Sequence, residues 1–515
     1  MLAAALEIIP MRVDFSGVFV LLLSTLLLAV TCRTRNASTL PLINGKRKWE
    51  ISSFKARMRF VADGPNIIKA GFAKCKKSPK AFYAVTDMGT DLVLSPDYIG
   101  EVRNDRRLDA HEYSAEKFHR EIPGFEAFAT EWLPPKKSLE SFLYGKLTPA
   151  IGKCTGILSS HADTLLQRLW TDNKDWHEIS LKDTILELNT CMGSRIFLGE
   201  DLCQSPAWTE LVKRNAVNAF IAADKLHSWP KAIRPLVHWF LPSCRILRGD
   251  VREARQFITP AVQQRREKQA ALQAQGKPPD EYFDTIQWME EVAEGQDYDP
   301  ALVQLALSMG STHTMTDLMT QVMLNLTKYP DLVQEVRREI IAVKTEEEWG
   351  RPALRKLMLM DSVIKETQRL KPISRATMRR KAGATVRLSD GFEIPRNTTF
   401  ILSTDHMLSN SVYPHADQFD GYRFYKLRQE PGQENAHQLV ATSNEHVGFG
   451  HGCYACPGRF FADSVMKVML CHLLLKYDFC LAEGSSANSL EFGTALVSNP
   501  IAKLVIRRRK EEIVL

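Results

Sequence analysis

Residues 449–459 run Phe-Gly-His-Gly-Cys-Tyr-Ala-Cys-Pro-Gly-Arg, a glycine-punctuated loop that delivers Cys456 to the start of a long apolar helix. A chain built this way must fold around a helix N-terminus with a cysteine in front of it. There, unpaired backbone N–H groups and the positive end of the helix dipole favour a thiolate, so Cys456 is a candidate metal ligand with a lowered pKa. Gly450, Gly452 and Gly458 let a flat ligand approach the main chain, and Pro457 stiffens the turn into the helix. Two other readings fit the loop taken alone. Cys453 and Cys456 make a C-x-x-C with His446 and His451 nearby, a possible zinc set, although zinc sites usually draw a second pair from further along the chain and none follows here. The second alternative is an inert cysteine in a structural turn.

Upstream, Glu366 and Arg369 are spaced i, i+3 on one helix face. On a surface such a pair contributes about 0.2–0.5 kcal/mol. The apolar run Leu357–Leu370, ended by Pro372, predicts burial instead, and a buried pair needs further partners. Arg423, in Phe419-Asp420-Gly421-Tyr422-Arg423-Phe424, is the candidate third member.

These motifs occur in an order that resembles the cytochrome P450 haem-thiolate monooxygenases. Phe449, Gly452, Cys456 and Gly458 match F-x-x-G-x-x-x-C-x-G, preceded by E-x-x-R and F-D-x-x-R-F, and Ala455–Ala462 looks especially like filamentous-fungal members. The resemblance extends over essentially the whole chain after its N-terminal segment. It implies a mainly α fold with small β-sheets, haem b as cofactor, Cys456 as axial ligand of the haem iron, and a Glu366–Arg369–Arg423 triad. It also identifies Leu302–Leu326 as the oxygen-activation helix, interrupted by the polar run Ser308–Asp317, where hydroxyls bonding back one turn can bend or open the helix. Gly310 then falls at the small-residue position and Thr314 at the proton-guiding threonine. Ser311 replaces the second glycine and His313 the usual acid, and a neutral imidazole can still relay a proton. A satisfied polar patch on a core helix is the alternative for His313. Tyr454 stands where relatives place Arg or His against a haem propionate, so Arg379, Arg380 or Lys146 is expected to compensate.

Phe15–Cys32 carries no charged residue; 18 residues at ~1.5 Å each give about 27 Å, close to the hydrocarbon thickness. It predicts one N-terminal transmembrane helix. The rival, a cleaved signal peptide, meets Glu7 and Asp14 beside the single Arg12 and no clear cleavage site. Arg33, Arg35, Lys46, Arg47 and Lys48 follow the span, which leaves the remainder cytosolic. The expected organisation is an anchor segment over 1–35, a hinge linker over 36–48 and a catalytic domain over 49–515, attached to the endoplasmic reticulum membrane. Ten scattered cysteines fit reduced thiols, and the sequons at Asn36, Asn325 and Asn397 go unmodified on the cytosolic side. A net charge of +7 over 515 residues does not point to nucleic acid, but a basic surface can attract an acidic redox partner.

Periodicity predicts helices over Leu147–Trp170, Ile179–Leu198, Val251–Gln275, Leu302–Leu326, Asp331–Val343, Met358–Leu370 and Arg459–Tyr477. Strands are expected near Ala81–Thr86, Asp91–Leu94, Thr385–Leu388, Thr398–Ser403 and Lys503–Arg507. By family analogy the substrate pocket draws on Pro123–Trp132, Asn215–His227, Ala306–Thr314, Ile373–Met378 and Ala495–Ser498. Those mostly apolar segments suit a rigid hydrophobic substrate, a terpenoid, meroterpenoid or related fungal secondary metabolite, with alkaloids and polyketides as alternatives. Trp229, Val237, Trp239, Phe240 and Leu241 either dip into the membrane or pack in the core. The implied reaction is oxygen insertion from O2, with electrons from NADPH through cytochrome P450 reductase and cytochrome b5 as a further partner. A haem-thiolate isomerase or dehydratase working without NADPH, and a non-catalytic haem-binding protein, are the competing classes; Thr314 and the polar groove speak for the oxygenase.

Overall fold

The computed structural model describes residues 40–75, 79–129, 131–135 and 137–515. The expected membrane span, Arg33, Arg35 and Asn36 lie outside the described residues. Among the described residues no helix is long and apolar enough to cross a membrane. The main body comprises Ile43–Leu515. It begins inside the expected linker: the Asn44 amide donates to the carbonyls of Ala56 (2.7 Å) and Val85 (2.8 Å), and Arg59 donates to Gly45. Residues from Asn44 onward are therefore fastened to the body, because a side-chain amide there satisfies two backbone acceptors.

Among the described residues, nine longer helices build most of the body: α1 (Phe54–Lys74), α2 (Thr148–Leu169), α3 (Leu181–Phe197), α4 (Pro206–His227), α5 (Pro242–Ala274), α6 (Pro300–Leu326), α7 (Pro330–Glu346), α8 (Met358–Leu370) and α9 (Arg459–Lys476). Helix α6 is apolar around most of its circumference, so it can only be buried, and it runs through the middle against α3, α4, α5, α8 and α9. Its start is set by Asp299, whose carboxylate accepts from the N–H groups of Ala301 (3.1 Å) and Leu302 (3.2 Å), with Pro300 at the first helical position. Helix α8 lacks a side-chain cap of its own; Glu339 of α7 supplies it by accepting from Leu359 (2.6 Å) and Met360 (2.9 Å).

A mixed sheet lies beside the helices. Strands β1 (Ala81–Thr86) and β2 (Gly89–Leu94) form an antiparallel hairpin. A short strand β3 (Leu108–Asp109) precedes β4 (His177–Ser180), β5 (Ala376–Ala382), β6 (Thr399–Ser403), β7 (Tyr477–Leu481) and β8 (Lys503–Arg508). β2 pairs with β6 in parallel, Leu92 opposite Phe400, and β6 pairs with β5 antiparallel, Ala376 opposite Ser403. A bulge between Thr377 and Arg380, with Met378 at φ +48°, turns β5 locally. A second sheet has the order β7-β8-β4, antiparallel throughout.

The helices expected over 147–170, 179–198, 302–326, 331–343, 358–370 and 459–477 are present, α8 with the expected limits, whereas α1, β5 and β7 stand where no element was expected. Two expectations need correction. Helix α5 begins at Pro242 and not at Val251, and α4 was not expected as a helix at all, although Ser205 caps it by accepting from Trp208 (3.4 Å) and Trp208, Leu211, Val212 and Ala219 bury one face.

Candidate functional site

Between α6, α8 and the loop ahead of α9 lies a cavity of about 390 Å³. Cys456, Pro457, Gly458 and Phe449 form one wall, and Ala306, Leu307, Gly310, Ser311 and Thr314 of α6 form another. Leu139, Leu143, Leu147 and Phe197 close the side, and Gln368, Lys371, Asp317 and Ile373 make its more polar end.

The cysteine loop is held by its own backbone. Cys456 N–H donates to Phe449 (2.8 Å), Gly450 to Val447 (2.8 Å) and Ala455 to Gly452 (3.0 Å). Gly452 sits at φ +82°, and a Cβ on it would lie 2.2 Å from the Arg103 carbonyl oxygen. Cys453 N–H donates to that same oxygen (3.1 Å), while His451 contacts the Arg103 guanidinium (2.7 Å) and the Thr442 hydroxyl (2.9 Å). Gly448, which lines the cavity and was not singled out from sequence, would drive a Cβ into the Gln368 side chain at 2.2 Å. His451 and Cys453 are thus engaged by Arg103 and Thr442, and among the described residues no three His, Cys, Asp or Glu groups converge. Cys456 lies deep among protein atoms yet keeps an exposed surface, and it lines the cavity. Burial pushes its thiol pKa up; the N–H groups of Gly458 and Arg459 and the Arg459 guanidinium pull the other way without reversing it. The helix-start effect alone does not lower this thiol, because desolvating an anion costs more than one helix end returns.

Glu366, Arg369 and Arg423 converge in the core. Arg369 donates to both carboxylate oxygens of Glu366 (2.8 Å each), and Arg423 Nε contacts the same two oxygens at 3.1 Å. The outer nitrogens are filled by carbonyls: Met407 and Ala416 for Arg369, Pro414 and His415 for Arg423. Glu366 and Arg369 are fully buried, which the surface-pair reading does not allow. The knot ties α8 to the chain segment 407–423, just ahead of the cysteine loop.

On α6, the Thr314 hydroxyl donates to the carbonyls of Gly310 (2.9 Å) and Ser311 (3.2 Å), and Ser311 donates to Leu307 (2.9 Å). The hydroxyls bond back one turn as expected, yet the helix continues without a break, so the expected opening does not occur. Gly310 and Thr314 face the cavity; His313 does not. Its Nε2 meets the Lys213 carbonyl of α4 at 2.9 Å, and burial lowers its pKa. A helix turns ~100° per residue, so neighbours in sequence leave on different faces.

The bulge in β5 sends its two arginines to different surroundings. Arg379 is shared among Tyr113, Ser374 and Thr494 (3.0–3.4 Å). Arg380 is buried with its guanidinium 4.5 Å from the Tyr454 ring centroid, and its Nε and Nη2 have no hydrogen-bond partner among the described residues. Buried unpaired guanidinium donors are costly and fit an anionic group beside the cysteine loop, as a haem propionate would be. Lys146 instead pairs with Glu291 at the surface (2.7 Å).

Several cavity residues have no motif of their own in the sequence, among them Gln368, Lys371 and Asp317. Gln368 lies within the E-x-x-R motif and Lys371 just after it, and neither position carries a pattern of its own. Asp317 is the single charged residue of α6, and that isolation was the available signal. Among the described residues, Pro123–Trp132, Asn215–His227 and Ala495–Ser498 supply no lining to this cavity, whereas Leu139–Leu147 and Phe197 do.

The family model described as Cytochrome P450 matches residues 59–506. The cytochrome P450 monooxygenase esdpI of Penicillium shearii is 43% identical over 477 residues, covering 92% of each chain. The cytochrome P450 monooxygenase adrA of Penicillium rubens is 41% identical over 514 residues and 99% of each chain. The cytochrome P450 monooxygenase pyr3 of Aspergillus fumigatus is 42% identical, covering 96% of this chain and 94% of its own. Among solved structures, a retinoic acid-bound cyanobacterial CYP120A1 shares the fold at TM-score 0.63 and 16% identity, covering 88% of this chain and 96% of that one.

Proposed function

This chain belongs to the cytochrome P450 family of haem-dependent monooxygenases, and we propose that its substrate is a rigid apolar molecule, a terpenoid, meroterpenoid or related fungal secondary metabolite. The electrons come from NADPH through a membrane-bound cytochrome P450 reductase. The balance is R–H + O2 + NADPH + H⁺ → R–OH + H2O + NADP⁺.

The observation that carries this reading is the facing pair of walls: Cys456 on one side of the cavity, Gly310 and Thr314 on the other. Haem held by Cys456 and Arg380 would supply the reductive activation of O2 there. The Thr314 hydroxyl donates its one proton to the Gly310 carbonyl, which fixes the side chain and leaves Oγ1 as an acceptor toward the cavity. Leucines 139, 143 and 147, with Phe197 and Ala306, exclude water and hold apolar substrate by packing.

The membrane reading rests on a separate surface. Phe240 and Leu236 are 81% and 68% exposed, and Trp229, Ile233 and Trp239 accompany them on the connection between α4 and α5. Such apolar exposure beside Lys231, Arg234 and Arg248 supports contact with an anionic lipid surface, in agreement with an endoplasmic reticulum location. The core-packing alternative suits only the half-buried Val237 and Leu241.

The test is the ferrous–carbon monoxide difference spectrum of membranes carrying wild type or Cys456→Ser. A red-shifted thiolate-type band that vanishes in the variant supports the reading, after which oxidation of terpenoid candidates is assayed with reductase and NADPH. Absence of haem from the wild type, or a band of the histidine-ligated kind, overturns it.

A further inference from the structure

The polar end of the cavity holds an arrangement that the motifs do not explain. Asp317, one turn beyond Thr314 on α6, and Lys371, directly after α8, both line the cavity and form an ion pair. The other side of that carboxylate leads outward: Asp317 Oδ1 accepts from Lys182 Nζ of α3 (3.2 Å) and from the Ser498 backbone N–H and hydroxyl (2.8 Å each). Lys182 also donates to the Ser498 carbonyl (3.2 Å). Side-chain exposure rises along the line, from 6% at Lys371 through 10% at Asp317 to 19% at Lys182. Two ammonium groups thus share one carboxylate, each on a different oxygen, between solvent and the cavity. Meanwhile the residue before Thr314, His313, is turned away to Lys213.

We propose that Lys182, Asp317 and Lys371 form a proton relay from solvent to the Thr314 side of the cavity. This rests on the monooxygenase reading above. The Lys371 ammonium gives a proton to cavity water and becomes an amine. Asp317 takes a proton from Lys182 at Oδ1, turns its neutral carboxyl group about the Cβ–Cγ bond and hands that proton to the Lys371 amine, and Lys182 is reprotonated by bulk water. Each pass moves one proton inward and restores all three groups; the electrons come from NADPH. Burial pulls the Lys182 ammonium down to about 8, with Asp183 opposing, and burial and Lys182 pull Lys371 down to about 7, with the Asp317 carboxylate in contact acting against that shift. Burial therefore brings both ammonium groups closer to proton release than a free lysine, while the shared Asp317 carboxylate opposes it.

The same contacts also describe a brace between α3, α6 and the 494–498 segment, and arginine separates the two roles: it preserves the charge and the ion pair but does not release its proton near neutrality. The experiment uses full-length membrane-bound enzyme with reductase and NADPH, no added substrate, in wild type, Lys182→Met, Lys182→Arg and Asp317→Asn. Hydrogen peroxide takes two electrons and two protons per O2, and water takes four of each, so the share of O2 recovered as peroxide reads proton supply. The relay predicts that both Lys182 variants and Asp317→Asn lower water formation about tenfold, with the wild-type solvent deuterium effect lost. The midpoint of Lys182 acetylation against pH, followed by mass spectrometry, shifts down in Asp317→Asn. Wild-type partitioning in Lys182→Arg, or no change in either Lys182 variant, overturns the relay. Absence of the carbon monoxide band from the wild type instead overturns the monooxygenase reading.

Discussion

Glu366 is fully buried and holds two guanidiniums, so its carboxylate cannot be removed cheaply. Glu366→Ala leaves Arg369 and Arg423 without a counter-charge and is expected to cost about 3–5 kcal/mol, read as a lower urea midpoint and lost haem content. The exposed Lys503–Glu178 pair is the control: Lys503→Ala should change stability by less than about 0.5 kcal/mol. Glycine gives a second residue-scale contrast. Gly452→Ala forces a Cβ against the Arg103 carbonyl at φ +82°, whereas at Gly450, φ +68°, the nearest atom is 3.5 Å away. Gly452→Ala should abolish the thiolate-type carbon monoxide band, and Gly450→Ala should retain it at a cost of about 1–2 kcal/mol, measured by thermal unfolding. The motif spacing indicated that Cys456, Glu366 and Arg423 belong together, but the Arg103 carbonyl behind Gly452 lies hundreds of residues away and has no local trace.

At the scale of elements, α6 shows how a polar run survives in a buried helix: the hydroxyls of Ser311, Thr314, Thr316 and Thr320 each donate to a carbonyl one turn back. Thr314→Ala should therefore leave thermal stability within about 1 kcal/mol while raising the peroxide share of consumed O2. Unchanged partitioning would remove the threonine from proton handling. Helices with strong local signals, such as α8 and α9, were legible to within a residue or two. The start of α5 and the whole of α4 were not, because their apolar faces are interrupted by charged residues that only neighbouring helices satisfy: Arg214 of α4 meets Asp250 of α5 at 3.0 Å. The bulge in β5 was equally hidden, and it decides that Arg380, not Arg379, lies against Tyr454.

Over the whole molecule, several buried histidines set the response to acid. Burial holds His119 and His472 down at about 4, and His227 lower still. Between about 4 and 6.5 the unfolded chain binds these protons and the folded chain does not, so stability rises with pH across that window, complete above 6.5 and lost toward 4. Each such histidine steepens the loss by about 1.4 kcal/mol per pH unit. Urea denaturation of His472→Gln should show a shallower acid slope than wild type; an unchanged slope would mean that His472 does not titrate in this range. The exposed connection between α4 and α5 makes a second prediction at this scale. A chain lacking residues 1–39 should still bind anionic vesicles, and Leu236→Ser with Phe240→Ser should weaken binding by about 1–2 kcal/mol per side chain in a sedimentation assay.

The sequence by itself determined the cysteine loop, the order of its supporting motifs, the helical majority and the family, since these depend on spacing within short segments. Tertiary structure decided which groups share the cavity. It turned His313 away, brought Lys182, Asp317 and Lys371 from three elements to one place, and raised the Cys456 pKa against the local helix effect. Those outcomes depend on burial and on partners distant in the chain, and a linear pattern records neither.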